Sequence, residues 1–266
     1  MTAPVLERYN QARPNTTPRT PRHNQPERNP AGRRDTPPRT PRNDEPERMP
    51  LRTDLFLISH CDDTGRPHLD KHAIAVGLAG AVLLELWHAG RVRLGWHGNP
   101  DHCTWQRNHT QITLIDASAT GDHINDSALV LLWRMGGTVN THQFINQFAT
   151  TDLYHQVRDH LTTNRILGAF TRRRFWLFKT EIRRPTSAVY PVKARARIRN
   201  VAHLYQPQPK DTALAVLVTA LGLTPYVHFT DKSTGGVQVR LAELIGPEHP
   251  IHDITATITP HRLRFQ

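Results

Sequence analysis

Cysteine is almost missing from this chain of 266 residues: only Cys61 and Cys103 occur. Two thiols cannot build a disulfide framework, and their scarcity fits a reducing cytoplasm. A single bridge between them stays open. Long apolar runs are missing as well. A bilayer-spanning helix needs about 18 uninterrupted apolar residues, whereas the best candidate, Ala73–Trp87 (AIAVGLAGAVLLELW), is shorter and contains Glu85. With His88 and Arg91 close behind, it reads as a buried core helix, so any membrane association is expected to be peripheral. The start of the chain is polar and Pro-rich from Thr2 onward, without the apolar stretch of a signal peptide, which argues against export by that route. No Ser nucleophile elbow, phosphate-cradling Gly loop or dinucleotide fingerprint occurs, so neither catalysis nor a cofactor is expected.

Positive charge is what the chain has in excess. Lys and Arg outnumber Asp and Glu by 34 to 23, giving +11 and a pI near 10.4. An anionic partner follows, with nucleic acid, an acidic membrane face and acidic protein all compatible with that charge. At 37% hydrophobic residues the chain can still bury an ordinary core.

The two kinds of sequence are segregated. From Thr17 the tract TPRTPRHNQPERNP is followed at a period of about twenty residues by PPRTPRNDEPERMP. About half of all prolines lie in residues 1–50, with many arginines and few apolar side chains. Burial there cannot offset the entropy of ordering, so an extended, disordered arm with polyproline II character is expected. The arm admits several readings: a tolerated tail, a ligand for a Pro-recognising partner, or arginines that hold phosphates or acidic protein. Met49-Pro50 stands directly before the first periodic segment and marks a natural alternative start of the chain.

The texture changes after Pro50, and one domain is expected over 51–266. Leu55 to Ile58 is a short apolar segment, and Asp62-Asp63-Thr64-Gly65 supplies a turn. Asp70 to about Ala89 predicts a central helix, with Ile74, Leu78, Val82 and Leu86 at four-residue spacing and Gly90 ending it. Arg91–Leu94 and Gln111–Ile115 predict a small hairpin. A helix is expected over Asp122–Met135. A single long helix is expected over Thr141–Asn164, with Phe144, Phe148, Val157 and Leu161 on one side and His155 and Arg158 one turn apart on another. GAFTRRRFWLFKT (168–180) predicts a second hairpin with Arg172, Arg173 and Arg174 near its tip. Val192–Tyr205 favours helix, Asp211–Leu223 predicts an apolar helix with Asp211 as N-cap, and a further helix is expected around Gln238–Leu244, with another segment near the end.

Seventeen histidines call for a metal test. Asp101-His102-Cys103 with His109 offers donors, but without CxxC or HExxH spacing no metal site is expected. Asp62-Asp63 reads as turn and capping acids rather than a catalytic pair. Arg172-Arg173-Arg174-Phe175-Trp176-Leu177-Phe178 is the most informative run. Its arginines suit lipid phosphates and its aromatic side chains the headgroup boundary. The favoured reading of the run by itself is that the aromatics cover the core while the arginines stay solvated. Stacking on single-stranded nucleic acid is the least supported use, since no recognition framework accompanies it.

In order along the chain, DLFLISHCDDTGRPHL, GLAGAVLLELWHAGRVRL, ASATGDHINDSAL, VRDHLTTNRIL, FTRRRFWLF and DTALAVLVTALGL resemble the Golgi phosphoprotein 3 family over about Leu51 to His228. The resemblance is to bacterial members, which are abundant in actinomycetes. It implies a mainly α fold, a helical bundle with peripheral amphipathic helices and small β-hairpins. It also implies a non-enzymatic, phosphatidylinositol 4-phosphate-binding peripheral membrane protein. The family's headgroup pocket, one tryptophan and three arginines, maps onto Asp70, Ala79, His155 and Arg158, so Arg158 alone keeps the family residue. Losing two charge-assisted phosphate contacts, each worth about 1.5–3 kcal/mol, implies altered or generic anionic-lipid binding. The expected lipid-binding residues are therefore Arg158, His155, Arg172, Arg173, Arg174 and Trp176, on a cytoplasmic protein at the inner membrane face. The alternative is an interaction scaffold that binds an acidic partner or self-associates through the hairpin.

Overall fold

The computed structural model describes residues 49–95, 110–174, 178–204, 206–227, 239–245 and 249–262. Within them the chain is mainly helical with two small antiparallel sheets. Its centre is the helix that the apolar pattern predicts, α2, preceded by the short helix α1. α1 (Leu51–Ile58) is buried along its whole length, and α2 (Lys71–His88) is apolar nearly all round. The Asp70 carboxylate accepts the His72 N–H at 2.7 Å and starts α2, and Gly90 at φ +70° turns the chain out of it. Small residues let neighbours close in: a Cβ at Gly77 would meet Leu221 Cδ1 at 2.6 Å.

Downstream, β1 (Val92–Gly95) pairs with β2 (Gln111–Leu114), and α3 (His123–Arg134) follows its N-cap Asp122. β3 (Thr138–Asn140) adds a third strand beside β2, which the alternation of so short a segment does not reveal. The Cys103 and His109 loop lies outside the described residues. Among those described, no group of three or more His, Cys, Asp or Glu converges on a metal position, and Cys61 is a free thiol.

The single helix expected over Thr141–Asn164 is two, α4 (Thr141–Ala149) and α5 (Leu153–Thr163). The Thr150 and Thr151 hydroxyls donate back to the carbonyls of Gln147 and Phe148, each at 2.7 Å, and Asp152 adopts φ +62°, which redirects the chain. The apolar stripe survives the break, since Phe144, Phe148, Val157 and Leu161 are all buried. Next come the hairpin strands β4 (Leu167–Arg174) and β5 (Phe178–Pro185), then α6 (Val189–His203), α7 (Pro209–Ala220), helical residues 239–244 and α8 (Ile251–Arg262). Asp211 is not the N-cap of α7; Gln208 is, with Pro209 first in the helix. Asp211 is instead buried and accepts the Arg197 Nε–H at 2.6 Å.

Arginine-centred ion pairs hold α1 in place. Arg52 is 1% exposed; its backbone N–H donates to Glu85 at 2.9 Å, and its guanidinium pairs with Glu85 and Asp122. This accounts for the lone charge in the apolar α2 segment. Burial raises the Glu85 pKa, and Arg52 opposes the shift. Two residues on, Asp54 faces Arg197, which also holds Asp211. Burial pushes the Asp54 carboxyl up to about 6 despite that partner. Nothing local in the sequence announces either cluster.

Candidate functional site

The surface where α5 meets the hairpin is assembled from four segments. α5 turns Leu153, Val157 and Leu161 inward, which leaves His155, Arg158 and Asp159 on its outer side. Asp159 Oδ1 accepts Arg158 Nε–H and Nη2–H, both at 3.0 Å, and lies 3.8 Å from Arg183 Nη1 of β5. Arg183 also donates to the Thr162 hydroxyl at 3.1 Å. The 61–66 turn is pressed onto β5 here: Gly65 has φ +62°, and a Cβ on it would sit 2.0 Å from the Arg183 carbonyl oxygen. Only glycine fits that approach.

The start of α2 reaches the same region. The Lys71 ammonium lies 5.5 Å from the centre of the Tyr154 ring. Tyr154 donates from its hydroxyl to His60 Nε2 at 2.8 Å, because His60 Nδ1 is directed at the Phe56 carbonyl at 2.7 Å. Burial lowers the His60 pKa to about 4, so the ring is a neutral acceptor near pH 7. Burial also raises the Tyr154 phenol, against the pull of Arg158. This buried pair orients the first turn of α5.

The four positions of the expected headgroup pocket do not share one surface. Asp70 is at the exposed start of α2 and its carboxylate caps the helix; His155 and Arg158 are on α5, with His155 Nδ1 bonded to Asp152 at 2.7 Å. Ala79 is fully buried in the α2 core and cannot line a headgroup site. Arg172, Arg173 and Arg174 end β4, opposite Thr180, Lys179 and Phe178, so the predicted approach to the hairpin tip is correct. Trp176 lies outside the described residues. A cleft of about 490 Å³ opens among His123, Val130, Arg134, Phe148, Thr151 and Gln156, and its lining includes neither His155 nor Arg158.

Charge is distributed unevenly among these segments of sequence. The turn, the start of α2 and α5 carry Arg66, Lys71 and Arg158 but also Asp63, Asp70, Asp152 and Asp159. Their net contribution is not positive. β4 and β5 by contrast carry six cations, Arg172, Arg173, Arg174, Lys179, Arg183 and Arg184, against the one acid Glu181. Lys71 and Arg183 were not singled out by sequence; only the fold brings them to α5.

A family model for Golgi phosphoprotein 3 (GPP34) matches residues 51–252. The chain belongs to that family. At the level of the Golgi phosphoprotein 3 family, this membership carries a non-enzymatic, phosphatidylinositol 4-phosphate-binding peripheral membrane role. No curated protein matched the chain. Among the described residues no helix is long and apolar enough to cross a membrane, as the interrupted α2 segment led one to expect.

Proposed function

We propose that this member of the Golgi phosphoprotein 3 family is a peripheral membrane adaptor that binds anionic lipid headgroups chiefly through its β4–β5 hairpin. The excess of six cations over one acid on those two strands carries the reading. Each Lys or Arg near an anionic leaflet contributes about 1 kcal/mol, and one partly matched arginine on α5 cannot do the same. Arg158 and His155 act as flanking contacts, and Trp176 next to the arginines suits the headgroup boundary. With Ala79 in the core, recognition of one phosphoinositide gives way to attraction by negative lipid in general.

Vesicle sedimentation tests this. The full chain sediments with phosphatidylcholine vesicles containing phosphatidylserine or phosphatidylinositol 4-phosphate, weakly with phosphatidylcholine alone, and less as salt rises. Replacing Arg172, Arg173 and Arg174 by alanine weakens anionic binding about 100-fold. Absence of anionic-vesicle binding, or indifference to that triple substitution, rejects the proposal and leaves an acidic protein as the partner to seek.

A further inference from the structure

The basic stretch of sequence does not stop at β5. Only residues 186–188 separate Pro185 from α6, and from Arg172 to His203 the sole acid is Glu181. α6 itself has four Lys and Arg residues and no acid. Two of the four are engaged inside the fold. Arg195 is held by both oxygens of Asp62 at 2.7 and 3.0 Å, and Arg197 by Asp54 and Asp211. The other two, Lys193 and Arg199, are exposed and enter no pairing among the described residues.

These two cations share a face with apolar residues. Positions 189, 192, 196, 199 and 203 succeed one another at three- and four-residue steps, with 193 beside 189 and 192. Val189 is 52% exposed and Val192 56%, while Ala194, Ile198 and Val201 on the opposite side are buried. The outer face thus presents two valines beside Lys193, with Arg199 two turns further on, both cations without a partner among the described residues.

We propose that the outer face of α6 is a second membrane-contact surface, seating Lys193 and Arg199 on anionic lipid phosphates and Val189 and Val192 at the acyl boundary. It rests on the peripheral membrane reading above and adds a contact to the hairpin. Charge selects the occupant. A second copy docking face to face here, as in a two-fold dimer, would bring Lys193 and Arg199 against the same cations, whereas an anionic bilayer offers phosphate to the cations and hydrocarbon to the valines at once.

Two double variants of the full chain test it, both at exposed positions and both checked by circular dichroism melting. Val189→Ser with Val192→Ser leaves the charge unchanged and lowers partition into phosphatidylserine-containing vesicles about fivefold. Lys193→Glu with Arg199→Glu lowers it at least about tenfold. Wild-type protein that ignores those vesicles defeats the peripheral membrane reading, and this inference with it. Wild-type protein that binds them while the serine pair changes partition less than about twofold overturns the α6 surface alone. So does lipid-free self-association, by sedimentation velocity, that the serine pair abolishes without altering vesicle binding.

Discussion

Arginine serves opposite ends in two regions of this protein. Around α1 each guanidinium is matched by carboxylates: Arg52 by Glu85 and Asp122, Arg197 by Asp54 and Asp211. Along β4, β5 and the outer side of α6, cations far exceed acids. A buried charge is tolerated only when paired, so the first set specifies how helices dock. On α6, Lys193 and Arg199 are exposed and enter no pairing among the described residues, and such charge contributes little to folding and is free to meet an anion. The difference separates residues that maintain the domain from residues that give it a partner.

The largest effect is expected from Arg52→Ala, which leaves Glu85 and Asp122 without their guanidinium. Urea unfolding should show a loss of about 3–5 kcal/mol. A loss below about 1 kcal/mol would mean that the buried network does not set the docking of α1, and the contrast between regions would fall.

Next come two variants that tilt stability against pH in opposite senses. Asp54 holds its proton to about 6 in the folded chain against 3.8 unfolded. Its contribution is therefore present at low pH and lost as pH rises through 6. His60 is depressed to about 4 from 6.5, so its contribution is present above 6.5 and lost as pH falls through 4. Relative to wild type, Asp54→Asn should become comparatively less stable toward pH 4, and His60→Gln comparatively more stable, each by roughly 2 kcal/mol across the window. Thermal melts between pH 4 and 7 check both, and a common sign for the two variants contradicts the assignment.

A smaller loss, about 1–3 kcal/mol, is expected for Gly65→Ala, where positive φ and the Arg183 carbonyl both exclude a Cβ. Because the turn braces β5, that variant should also weaken anionic-vesicle binding while preserving most helicity. The smallest effect sharpens the comparison most. Neutralising Arg172, Arg173 and Arg174 together should change stability by no more than about 0.5 kcal/mol while removing most lipid affinity. A large loss of stability would place those arginines with the first group.

Elements with a strong local pattern were readable in advance. The all-round apolar run of α2, its start near Asp70 and the glycine that ends it are local signals, and so is the basic run followed by aromatic and apolar residues of the second hairpin. The stripe through Phe144 and Leu161 was visible, but the break at Thr150–Asp152 was not, because helical periodicity continues across it while one residue's left-handed backbone redirects the chain. Asp211 has the chemistry of a cap and the position of a first turn, yet packing against Arg197 claimed it. On the site, His155 and Arg158 fell one turn apart as read, whereas Arg183 reached Asp159 and Thr162 of α5 only through the packing of the hairpin against that helix, and Ala79 left the surface altogether.

By itself, then, the sequence determined where most of the helices and the two hairpins form and that positive charge collects between Arg172 and His203, since both follow from neighbours within a few residues. The tertiary structure alone decided which of those charges remain available. In VKARARIR four cations look equivalent, but Arg195 and Arg197 meet Asp62 and Asp54 from 133 and 143 residues away, and Lys193 and Arg199 meet solvent. Whether a charge is matched depends on what packs against it, and no local spacing encodes that.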